Sequence, residues 1–91
     1  METHTKSYDL YEDPGHGWLK VRRAELESLG IADQITPYSY ERGEYVFLEE
    51  DLDLSTFLRA KRATGIQPTF RQHHTDRTSR IRNYASYRPT A

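Results

Sequence analysis

The chain reads as an α+β domain with a mainly antiparallel sheet of about five strands. Two helices lie on one face and a basic arm follows at the C-terminus. Three observations carry this reading. Aromatic and β-branched clusters of strand length recur along the first seventy residues, separated by turns containing glycine or proline. Two intervening stretches switch to helical spacing. Beyond Phe70 apolar residues thin out and arginine dominates, which divides the chain into a domain over 1–70 and an arm over 71–91.

Each element has a local reason. Ser7-Tyr8-Asp9-Leu10-Tyr11 is aromatic-rich, Asp13-Pro14-Gly15-His16-Gly17 breaks it, and Trp18-Leu19-Lys20-Val21 resumes extended structure, so residues 7–21 read as a hairpin. Ala24 to Leu29 are good helix formers, and Gly30 is a C-terminal stop with Ile31 placed to close the cap. Tyr38-Ser39-Tyr40 and Tyr45-Val46-Phe47-Leu48 flank the polar connection Glu41-Arg42-Gly43-Glu44, a second hairpin. Leu54, Phe57 and Leu58 stand at i, i+3 and i+4. Asp51 or Asp53 can accept from the free N–H groups at the start of that helix, and Gly65 ends it. Ile66-Gln67-Pro68-Thr69-Phe70 is a last short strand, its proline suiting an edge or a strand start. The expected core is Leu10, Trp18, Leu19, Val21, Leu26, Leu29, Ile31, Ile35, Val46, Leu48, Leu54, Phe57, Leu58, Ile66 and Phe70. Both helices are expected on the sheet face that carries Trp18 and either Phe47 or Val46.

Composition narrows the function classes. The 91 residues contain no cysteine, which excludes disulfides and thiolate metal sites, and no apolar run approaches the ~20 residues of a membrane span. The segment Met1-Glu2-Thr3-His4-Thr5-Lys6 lacks the apolar stretch of a signal peptide, so the expected setting is soluble and cytoplasmic. The net charge of −1 hides a division. Residues 1–58 hold 13 Asp and Glu against 5 Lys and Arg, a sum of −8, and residues 59–91 hold 8 Lys and Arg against Asp76, a sum of +7.

Four clusters carry residue types suited to chemistry or binding. Asp9, Glu12, Asp13 and His16 offer oxygen and nitrogen donors, but their spacing matches no cation loop and a solvated turn accounts for them. His73 and His74 beside Asp76 and Arg77 lack a motif-borne nucleophile, and adjacent side chains diverge, so an exposed polar loop is expected. Glu49, Glu50, Asp51 and Asp53 form an anionic patch suited to a basic partner. The arm interleaves Arg71, Arg77, Arg80, Arg82 and Arg88 with His73, His74, Tyr84 and Tyr87. That mixture suits phosphates and bases, an acidic protein surface, or the protein's own Glu49-Glu50-Asp51 patch. No metal, cofactor or catalytic residue is assigned.

The stretches Asp13-Pro14-Gly15-His16-Gly17-Trp18-Leu19-Lys20-Val21, Leu29-Gly30-Ile31, Tyr38-Ser39-Tyr40, Gly43 and Leu48-Glu49-Glu50-Asp51-Leu52-Asp53 resemble small accessory proteins of bacterial phages, plasmids and other mobile elements. The resemblance implies a setting rather than a reaction. The expectation is a small non-enzymatic binding protein acting stoichiometrically on a host protein or ribonucleoprotein complex, in the manner of an anti-CRISPR inhibitor of host defence. The alternative is a nucleic-acid-binding protein using the arginine- and tyrosine-rich arm.

Overall fold

A computed structural model describes residues 4–89; Met1–Thr3 of the N-terminal segment and the arm's last two residues, Thr90 and Ala91, lie outside the described residues. The order is β1 (His4–Glu12), β2 (Gly17–Arg22), α1 (Arg23–Ser28), β3 (Tyr40–Arg42), β4 (Tyr45–Glu49), α2 (Asp53–Ala63), β5 (Ile66–His74) and β6 (Ala85–Ser86). The strands form one sheet in the order β5-β1-β2-β4-β3-β6, antiparallel except where β5 lies parallel to β1. This is the expected α+β architecture, with a two-residue sixth strand added from within the arm. Because β4 and β5 run the same way, α2 carries the chain back across the sheet, as a parallel connection requires.

One face of the sheet holds the main core. Tyr8 of β1, Leu19 and Val21 of β2, and Val46 and Leu48 of β4 point toward Leu26 of α1 and Phe57 of α2, with Ile31 and Ile35 closing the end. Gly30, at φ +71, stops α1 in the left-handed conformation that a side chain disfavours, and the Ile31 amide then donates back to the Leu26 carbonyl at 3.0 Å. A polar group ties the helices to the strands. Glu25 accepts from Lys6 and Tyr8 of β1 and from Lys61 near the end of α2. Burial opposes ionisation of Glu25, but Lys61, Tyr8 and Lys6 outweigh it and hold its pKa below the ordinary value. Burial, followed by the Glu25 carboxylate, drives the Tyr8 pKa upward.

The opposite face corrects the expected helix orientation. Strand alternation places Trp18 and Phe47 away from both helices, and only Val46 of the three lies beneath them. Trp18 and Phe47 are covered instead by the arm, whose Ile81 completes a second cluster with Tyr11, Tyr40, Tyr45 and Tyr84 packed around it. Phe70 is not core: it sits on edge strand β5 and is 39% exposed. Leu10, Leu29, Leu54 and Leu58 are only partly buried against the main core. Strand β5 also outruns its expected end at Phe70 and pairs with β1 through His74, so the irregular part of the arm begins at Thr75.

Candidate functional site

Residues 79–82 of the arm are held by a clamp on Asp13. Asp13, in the turn after β1, takes the Arg82 guanidinium through two contacts, Nε to Oδ2 at 2.7 Å and Nη2 to Oδ1 at 2.9 Å. The same carboxylate accepts the Gly15 and His16 amides at 3.0 Å and the Ser79 amide at 2.9 Å. The Arg82 guanidinium, followed by the backbone donors, holds the Asp13 carboxyl far below the usual carboxylate range, while Asp13 raises the Arg82 pKa. Gly15 admits this approach, since a Cβ there would stand 3.0 Å from Arg82 Nη2. Arg82 then lies over the Trp18 ring, 5.4 Å from its centroid. Of the three expected dockings of the arm, self-docking is present among the described residues, but on Asp13 rather than on Glu49-Glu50-Asp51.

Beside this clamp opens a cleft of about 400 Å³, lined by His16, Trp18, Tyr38, Tyr40, Glu49, Asp51, Leu52 and Arg82. Each side chain arrives for a local reason. Trp18 and Tyr40 project from β2 and β3 on the arm face, with ring centroids 6.3 Å apart at 63°. Tyr38 follows Pro37 in the turn entering β3, and Leu52 lies in the turn entering α2. These two are 78% and 53% exposed, and only Phe70 joins them as an exposed large apolar residue among the described residues. An aromatic floor with two exposed apolar lips is the kind of surface that marks a protein contact.

The acidic run divides by role. Glu49 caps α2, its carboxylate accepting the Asp51, Leu52 and Asp53 amides at 2.7, 2.7 and 2.8 Å. This corrects the assignment of that cap to Asp51 or Asp53. Asp53 is 0% exposed and belongs to no surface patch. It accepts the Thr36 amide and hydroxyl and the Ser39 hydroxyl, while Ser39 Oγ accepts the Glu49 amide at 3.0 Å. That chain fixes the Tyr38–Tyr40 segment against the start of α2, and so sets the width of the cleft. Glu50 and Asp51 are exposed, and the Glu50 carboxylate rests so near Gly17 that a Cβ there would stand 3.0 Å from it.

The basic residues expected to act together are likewise separated. Arg71 and His73 stand on β5 and share Asp9 Oδ1 at 3.0 and 2.9 Å, with His73 stacked on Tyr11. His73, then Arg71, lowers the Asp9 pKa. His74 meets Asp76 at 3.2 Å. Tyr84 packs on Phe47 and meets Arg42. Tyr87 crosses to the helix face, where it is buried in the main core and donates to the Ala32 carbonyl, and burial raises its pKa. Arg77 and Arg80 are exposed and make no ion pair among the described residues. Asp9, Glu12, Asp13 and His16 do not converge on one point, because Asp9 faces β5 and Asp13 faces Arg82. No helix among the described residues is long and apolar enough to cross a membrane.

No family model, curated protein or solved structure matches the chain.

Proposed function

We propose that the protein is a small, non-enzymatic binding module that docks on a basic segment of a partner protein through the cleft between Tyr38, Trp18 and Leu52. The observation that carries this reading is the placement of Tyr38 and Leu52, two exposed apolar side chains at the mouth of one aromatic cleft whose rim holds Glu49 and Asp51. An arginine or lysine entering there would lay its stem and charge against aromatic faces and end at carboxylates, which combines cation–π attraction with charge pairing. All the lining residues except Arg82 come from segments 13–21, 38–40 and 48–53, on which the resemblance to mobile-element accessory proteins rests. That resemblance supports a host complex as the partner and stoichiometric inhibition of host defence as the outcome.

The test uses Trp18, the chain's one tryptophan, as a reporter inside the cleft. A lysine- and arginine-rich peptide should change its emission saturably, and Tyr38→Ala with Asp51→Lys should weaken that binding by at least tenfold while leaving the melting temperature in place. A pull-down from bacterial lysate should retain its protein band after nuclease treatment and lose it with the same double variant. If the variant captures the same protein with equal affinity, the cleft is not the docking site.

A further inference from the structure

A second cleft, of about 500 Å³, lies on the other side of the arm, between it and strands β1, β2 and β4. Its lining contains Lys20, Arg77 and Arg80 and no carboxylate. None of these three cations makes an ion pair among the described residues. In a chain with 14 Asp and Glu, three cations brought around one concavity with no counter-charge in its wall leave room for an anion from outside. The hydroxyls point the same way. Thr75 Oγ1 already accepts the Arg77 amide and Ser79 Oγ the Ile81 amide, both at 3.2 Å. Each hydroxyl proton is then left to donate. The floor is aromatic: Tyr11, stacked on His73, and Tyr84, packed on Phe47. Cations and hydroxyl donors suit phosphate oxygens, and half-buried tyrosine rings suit a planar base. The volume falls within the ~300–1,000 Å³ of small-ligand clefts.

We propose that this cleft binds a nucleotide unit, with its phosphate on Arg77, Arg80 and Lys20 and its base on Tyr11 and Tyr84. The site does not depend on the peptide cleft, from which it is separated by Ile81 and Arg82. Two sources carry the same chemistry, a free mononucleotide and a residue within a single strand. Fluorescence anisotropy with a labelled twelve-residue oligothymidylate, and calorimetry with thymidine monophosphate and with inorganic phosphate, distinguish them. Binding of the oligonucleotide with a log–log salt slope of about −0.7 per phosphate contacted assigns the strand. Saturable binding of the mononucleotide alone assigns the free ligand. In either case the paired variant Arg77→Ala with Arg80→Ala should weaken binding by more than tenfold, and Tyr84→Leu should weaken the nucleotide but not inorganic phosphate. Both arginines are exposed, and an unchanged melting curve of the variant confirms that the fold is intact. The proposal is overturned if neither nucleotide nor oligonucleotide binds at millimolar concentration, or if affinity survives the paired arginine variant. It is also overturned if inorganic phosphate competes as well as thymidine monophosphate, since the aromatic floor would then contribute nothing.

Discussion

On one face of the sheet, two helices lay leucine and phenylalanine against valine and leucine of the strands, with Ile31 and Ile35 from the segment after α1 closing the end. On the other, an irregular arm lays a single isoleucine over a tryptophan and a phenylalanine, and an arginine over the same tryptophan. The first face excludes water by side-chain shape, and Glu25 adds bonds between elements, from Lys6 and Tyr8 of β1 and Lys61 of α2. Over residues 79–82 the second is held by Asp13, whose carboxylate gathers three amides and a guanidinium, and further along by the pairing of β6 with β3 and by Tyr87. Burial of apolar area is distributed and non-directional, whereas an ion-pair clamp is local and directional. The arm face can therefore leave clefts open on both sides of its clamp without weakening the fold, and both candidate binding sites lie there.

The largest expected effect breaks the helix face. Phe57→Ala removes a side chain with no exposed surface that meets Tyr8 edge-on at 5.2 Å, and should lower unfolding free energy by about 3–5 kcal/mol. Chemical denaturation measures it, and a loss below ~1 kcal/mol would show that α2 does not seal this core.

The next effect is local to the arm. Asp13→Asn keeps the shape but loses the charge, so residues 79–82 should open locally while Tyr87 and β6 stay in place. Amide exchange at Ile81 should accelerate by on the order of tenfold while exchange at Leu48 holds. The pH dependence has a fixed sign. Because the Asp13 pKa is depressed by folding, its contribution is complete above the unfolded value of ~3.9 and is lost as pH falls below that value toward the folded one. Protection of the Ile81 amide, relative to that of Leu48, should stay flat from pH 8 to 5 and fall only below about pH 4. A transition near pH 6 would assign the clamp to a histidine instead.

Tyr87 joins the two faces, since it belongs to the arm but is buried in the helix-side core. Tyr87→Phe keeps the ring and removes the bond to the Ala32 carbonyl, for a loss of about 1–3 kcal/mol if that carbonyl stays dry. Thermal melts check this, and no change would mean that water replaces the phenol.

What the sequence revealed follows the same division. The helix face was legible because Leu54, Phe57 and Leu58, and the Gly30-Ile31 stop, are repeated local signals. The arm face was not, because a surface built from Trp, Tyr and Arg has no apolar period, and its partner Asp13 lies 69 residues from Arg82. Asp53 looked like surface because an acidic run suggests solvent; only the positions of Thr36 and Ser39 in space show why it is buried. The convergence of Trp18, Tyr38 and Leu52 required the β2-β4-β3 strand order, which local patterning does not encode. Strand alternation would have placed Trp18 and Tyr40 on one face once that order was known.

The smallest expected effect lies at the edge that both faces share. Arg71 and His73 reach Asp9 from β5, and both are well exposed, so their pairing is screened and each side chain gives up rotational freedom to make it. His73→Ala and Arg71→Ala should each change stability by no more than about 1 kcal/mol. The strand should survive either change, because its pairing with β1 runs from Ile66 to His74 through backbone groups. His73 also stacks on Tyr11 at 4.8 Å, so its removal should free that ring before it affects the melt. The pair of variants separates two kinds of edge. If Arg71→Ala and His73→Ala both leave the melting curve in place, β5 is held by its ladder. A loss of several kcal/mol from either would show instead that the exposed Asp9 cluster anchors the strand, and that this edge is clamped in the same way as the arm.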